Sequence, residues 1–162
     1  GQDGYERTIE VIENNNLEWF GTENKQVNIN CDGEKIALTG FCSFNTNPSP
    51  VKSKSKLGLN YLDANKVINK LADNTNKGYF NILSLHSGQE HIHMPSSDDV
   101  KFARYIANRF DYVYYGHHPH VLQGFEKVNN SAIFYSLGNF IFDDVYTPRD
   151  QKNPLITLSE AN

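Results

Sequence analysis

No histidine occurs before residue 86 or after residue 120, and the 162 residues hold one methionine, one tryptophan and two cysteines. Each scarcity excludes something. Cys31 and Cys42 form no C-x-x-C pair, which argues against a zinc–thiolate site, and both read as buried free thiols. No apolar run approaches the roughly 20 residues of a membrane helix. The opening stretch GQDGYERTIE lacks the charged, apolar and small-residue succession of a signal peptide. With 15 Lys+Arg against 19 Asp+Glu, the net charge is −4, so there is no basic stripe to bind nucleic acid. The lone methionine is Met94, so Gly1 is not expected to be a natural start, and the sequence reads as part of something longer. No internal repeat or domain boundary is visible, and the asparagines never become dense enough for a low-complexity tract.

What is present is aromatic. Ten Phe and nine Tyr supply core volume that a modest aliphatic content does not. Tyr5, Ile9 and Ile12 recur at helical spacing and predict an amphipathic helix over 5–15. Leu17–Phe20 reads as a short strand. Val27, Ile29 and Cys31 alternate with polar residues, as do Ile36 and Leu38, around an Asp32-Gly33 turn that would pair Cys31 with Glu34; this is a hairpin signature. Residues 45–60, with two prolines and three lysines, read as a long surface loop. Asp63 is placed to cap a helix over 63–75, and Ser96 or Ser97 one over 97–110, with Asp98 and Asp99 in its first turn. Tyr79–Leu85 and Tyr112–Tyr115 predict strands buried between layers. Val121–Phe125, Ala132–Ser136 and Phe140–Phe142 read as shorter strands. Strand–helix–strand succession of this kind gives an α/β layered domain.

The chemistry gathers where those strands end. His86 closes the run YFNILSLH, and Gly116-His117-His118-Pro119-His120 follows YVYY. Ligands of α/β sheets collect at the carboxyl ends of strands, so the two groups are expected to meet. His118 and His120 form an H-x-H pair on a turn stiffened by Pro119, a pattern suited to holding a metal. His117 is less suited to direct ligation, and His91 and His93 read as loop residues. Asn139, in Ser136-Leu137-Gly138-Asn139-Phe140, is either a turn residue or a group that orients water or substrate. Glu90 and Glu126 each follow a histidine group and are candidates for acid–base work or for fixing a histidine tautomer.

Taken together, His86-Ser87-Gly88-Gln89-Glu90, Pro95-Ser96, GHHPHVLQGFE at 116–126 and SLGNFIFD at 136–143 resemble the bacterial capsule-synthesis CapA family. That family is associated with poly-γ-glutamate capsules and is similar to the calcineurin-like metallophosphoesterases. The likeness runs less specifically through Asp3-Gly4 and Leu17–Gly21. It implies the C-terminal part of a layered metallophosphoesterase-type fold, with residues 1–162 as a single domain fragment. It also implies His86, His118 and His120 as metal ligands, and Glu90, Glu126 and Asn139 as catalytic candidates. The early Asp-x-His, Gly-Asp and Asn-His ligands of the wider superfamily are absent from residues 1–85 and are expected upstream. The function so implied is metal-dependent phosphoester hydrolysis in capsule or cell-envelope polymer synthesis. It would use two divalent ions (Mn, Zn or Fe) in the full-length protein, and the isolated fragment would be inactive. The alternative is a non-hydrolytic component of an envelope assembly machine that binds an acidic polymer or a partner protein, an idea the lysines of residues 52–56 fit. Either reading implies a cell-envelope or extracytoplasmic setting, and neither involves nucleic acid or a membrane segment in this chain.

Overall fold

A computed structural model describes residues 2–22, 25–43, 46 and 59–140. Among them are three helices, α1 (Gln2–Asn14), α2 (Ala64–Asn76) and α3 (Ser97–Ala107). The strands are β1 (Val27–Cys31), β2 (Glu34–Cys42), β3 (Phe80–His86), β4 (Tyr112–His117), β5 (Phe125–Val128) and β6 (Ser131–Phe134). They form one six-stranded sheet in the order β1-β2-β3-β4-β6-β5. The central strands β2, β3, β4 and β6 run parallel, and an antiparallel strand flanks each side. This is a mixed α/β architecture.

Local chemistry accounts for the elements. Asp63 accepts from the backbone N–H of Lys66 and starts α2; Ser96 accepts from that of Asp99 and starts α3. Asp32 and Gly33 both take positive φ, 53° and 92°, as a tight hairpin turn requires, and Cys31 does pair with Glu34. α2 and α3 are the crossovers that parallel neighbours need, linking β2 to β3 and β3 to β4.

The core lies between these helices and one face of the sheet. Phe41, Leu83, Leu85, Tyr112, Tyr114, Ile133 and Tyr135 meet Val67, Leu71, Ala103 and Ile106. Burying a side chain such as Leu71 or Leu83 stabilises by about 1.5–3 kcal/mol. Asn81 and Asn74, both fully buried, are accommodated because the Asn74 amide donates to Oδ1 of Asn81 at 2.9 Å, while Asn81 donates to the Leu71 carbonyl.

Several sequence expectations change. Leu17–Phe20 is not a strand: among the described residues it joins no strand ladder, the Leu17 N–H donating instead to the Ile12 carbonyl at 3.1 Å, although Thr22 makes single bridges to Lys25 and Leu59. Cys31 is exposed, because only Val27 of β1 is buried in this sheet-edge strand, and Cys42 is half-buried at the end of β2. α3 stops at Ala107, with 108–109 forming a turn. In 121–125 the chain makes one bridge, Leu122 to Leu137, before β5 begins at Phe125. Among the described residues β3 and β4 are buried on their helix face, while their alternate residues are half-buried or exposed; on that second face Val27 of β1 is buried. Residues 52–56, most of the 45–60 loop and 141–142 lie outside the described residues.

Candidate metal centre

Parallel register brings the two histidine groups together. His86, the last residue of β3, pairs with His117, the last of β4, at the carboxyl edge of the sheet. Gly116 precedes the cluster because nothing larger fits. A Cβ there would lie 2.0 Å from the Tyr135 carbonyl oxygen, so β4 meets the 134–135 backbone only through glycine.

Beyond β4 the backbone is strained. His118 and His120 both have positive φ, 111° and 62°, and so does His91 at 61°. Such angles are uncommon away from glycine, cost on the order of 1–3 kcal/mol each, and cluster at functional sites. The loop is held by its neighbour. The Ser87 N–H donates to the His117 carbonyl at 3.0 Å, and the His91 N–H to the Pro119 carbonyl at 2.8 Å. Gly88, at φ 103°, leaves room for Pro119, whose Cγ would stand 3.2 Å from a Cβ. The Ser136 hydroxyl donates to the Val121 carbonyl and accepts from the Gly138 N–H, which fixes the turn that carries Asn139.

Within this frame Glu90, His118 and His120 each bring one ligand atom to within 4.8 Å of the others. Glu90 Oε1 is 4.0 Å from Nε2 of His118. Nδ1 of His120 is 2.8 Å from Oδ1 of Asn139, an acceptor that places the ring hydrogen on Nδ1 and leaves Nε2 as a lone pair. The His91 ring stacks on that of His120 with centroids 6.0 Å apart. His86 Nε2 lies 3.1 Å from Nδ1 of His118, and His86 Nδ1 lies 3.0 Å from Nδ1 of His117. His117 Nε2 in turn is 2.9 Å from Oγ of Ser84.

Electrostatics favour neutral rings, the form that binds cations. Burial, then the neighbouring charges of His86 and His118, pushes His117 down to about 4. Burial also lowers His86, with His118 and His120 adding to the effect while Glu90 opposes it. His118 is lowered by burial against the pull of Glu90.

Five of the six candidate residues named from sequence therefore meet at one edge of the sheet: His86, Glu90, His118, His120 and Asn139. Glu126 lies on β5, where Arg104 of α3 grips both its oxygens at 2.8 and 2.6 Å, and that pairing lowers its proton affinity. The sequence gives His117 only as less suited to direct ligation, and Ser84 is a participant it does not single out. The signal was the alternation of β3, which puts Ser84 on the face of His86.

Glu and His side chains converging in this way are a donor set suited to Zn, Mn or Fe ions, and the chain resembles known proteins of one kind. It is 34% identical over 157 residues, 91% of this chain, to the capsule biosynthesis protein CapA of Bacillus anthracis. It is 32% identical over 116 residues, 72% of this chain, to the PGA biosynthesis protein CapA of Bacillus subtilis strain 168. These alignments span 38% and 30% of the two relatives, so the chain matches about a third of their length. The family description "bacterial capsule synthesis protein" matches residues 1–144, and the chain belongs to that family.

Proposed function

We propose that this chain supplies one part of a divalent-cation centre that hydrolyses phosphoesters in the synthesis of a capsule or envelope polymer. The convergence of Glu90, His118 and His120 within 4.8 Å carries the reading. The names of the two relatives, capsule and PGA biosynthesis, support its setting. Glu90, His118 and His120 would hold a cation, with His86 adjoining them. A bound divalent ion supplies Lewis-acid polarisation of a phosphoryl oxygen and an acidified water. The chain's residues do the rest. Asn139 fixes the His120 tautomer, Glu90 offers the negative charge that offsets the cation, and Pro119 with Gly88 holds the loops in contact. Among the described residues Glu90 is the one carboxylate of the group. Two adjacent divalent ions repel strongly at about 4 Å, so a second requires further carboxylates from the remaining length of a CapA-like chain.

Metal stoichiometry and hydrolysis of a generic aryl phosphate, measured on residues 1–162 and on the full-length chain, test this. The expected result is one ion and little turnover for the 162 residues, and two ions with turnover for the longer chain. Two bound ions without phosphoester hydrolysis in the longer chain would overturn hydrolysis in favour of a polymer-binding component. Robust turnover by residues 1–162 alone would overturn the claim that further carboxylates are needed.

A further inference from the structure

His117 closes β4 opposite His86, and the cation-binding reading gives it no task. Both its ring nitrogens are nonetheless engaged: Nδ1 is 3.0 Å from Nδ1 of His86, and Nε2 is 2.9 Å from Oγ of Ser84. Strand alternation puts Ser84, His86 and His117 on one face of the sheet, so the three side chains form a line. His86 turns its second nitrogen, Nε2, toward His118 at 3.1 Å.

A neutral imidazole has one N–H and one lone pair, and a cation takes only the lone pair. His86 can serve the centre through Nε2 only when its hydrogen sits on Nδ1. That hydrogen needs an acceptor, and Nδ1 of His117 is within reach. Accepting there places the hydrogen of His117 on Nε2, where Ser84 Oγ receives it. A hydroxyl accepts as readily as it donates, so the line can end at Ser84. The opposite polarity puts a hydrogen on Nε2 of His86 and closes that nitrogen to any cation. We propose that His117, backed by Ser84, is a positioning residue that holds His86 in the Nδ1–H tautomer, with its Nε2 lone pair turned to the cation centre. This inference rests on the cation-binding reading. An imidazole–hydroxyl pair here takes the place of the carboxylate or carbonyl that commonly orients a metal-binding histidine.

The test combines ¹⁵N imidazole NMR with calorimetric titration of Zn²⁺ on the full chain. The variants are His117→Phe, which keeps a ring but has no acceptor, His117→Asn, whose carbonyl reaches the position of Nδ1, and Ser84→Ala. In the wild type His86 should be Nδ1–H. In His117→Phe it should revert to Nε2–H, with Zn²⁺ affinity falling about ten- to hundredfold, the usual range for loss of such a partner. His117→Asn should restore both, and Ser84→Ala should show a smaller loss of the same sign. An unchanged tautomer and affinity in His117→Phe would overturn the proposal, as would equal losses in His117→Phe and His117→Asn, which would indicate packing alone. If the wild type binds no Zn²⁺, the cation reading fails, and the tautomer of His86 in zinc-free protein still decides the positioning role. Should His117→Phe not fold, Ser84→Ala carries the test, and an unaltered His86 tautomer there overturns the proposal.

Discussion

The two faces of the sheet are made by the same strands and differ in what lies over them. One face is closed by α2 and α3, and Leu83, Leu85, Tyr112 and Ile133 on it are fully buried. The other carries Ile36, Leu38, Ile82, Val113 and Phe134 only half-buried, with Ile29 at 43%, Phe80 at 36%, Tyr115 at 43% and Phe125 at 61% exposure. Phe20 lies over this second face at Gly40, 3.1 Å from where a Cβ would stand. Ser84, His86 and His117 belong to the second face. Packing therefore fixes the strands from one side, and the chemistry is built on the other, where hydrogen bonds rather than apolar contacts position the side chains. Parallel strands are ordinarily covered on both faces, which makes the contrast sharper.

Neighbouring residues of β3 give the largest expected separation of the two faces. Leu83→Ala, on the helix face, should lower unfolding free energy by about 2–5 kcal/mol. Ile82→Ala, one residue away on the open face, should cost about 1 kcal/mol, since less area is withdrawn from water. Chemical denaturation of both variants checks this, and equal losses would break the comparison. Next, Gly116→Ala drives a methyl group into the Tyr135 carbonyl and should cost about 1–3 kcal/mol or more. It should also separate β4 from the Asn139 turn, visible as changed amide shifts at residues 135–139.

The third effect is a pH dependence confined to the open face. His117 has a folded value of about 4 against an ordinary 6.5, so the unfolded chain binds its proton more readily. Its contribution is full above pH 6.5 and is lost as pH falls toward 4. Discounted for the solvent that reaches the ring, this amounts to about 1–2 kcal/mol. Denaturation in chelator between pH 7 and pH 4 measures it, and His117→Phe should flatten the slope. The smallest effect belongs to Glu126. Its pair with Arg104 is solvated, so Glu126→Gln should change stability by less than about 1 kcal/mol and leave Zn²⁺ titrations unchanged. A marked loss of Zn²⁺ binding would bring Glu126 back to the centre.

Much of this organisation is legible in residues close together in sequence. Asp63 and Ser96 announce their helices because a cap is a contact across three positions. Asp32-Gly33 announces its hairpin because the turn geometry is local. The histidines stand out because an H-x-H after a strand has few other uses. Leu17–Phe20 misleads for the converse reason: an apolar run is a strand only if an edge is available to pair with it, and that is not encoded within the run. The exposure of Cys31 and the capture of Glu126 by Arg104, 22 residues away, likewise depend on which elements become neighbours.

The amino-acid sequence by itself determined the helices with their caps, the hairpin, the strand ends and the residue types available for cation binding. All of these follow from periodicity and short-range hydrogen bonding. Tertiary structure decided which of those residues meet. His86 faces His117 and His118 across about thirty residues because α3 returns the chain to a parallel register, and one step of slip would turn His117 to the helix face. Asn139 reaches His120 only because Gly116 lets the 134–135 backbone approach β4. Long-range register is a property of the packed sheet, and no local pattern carries it.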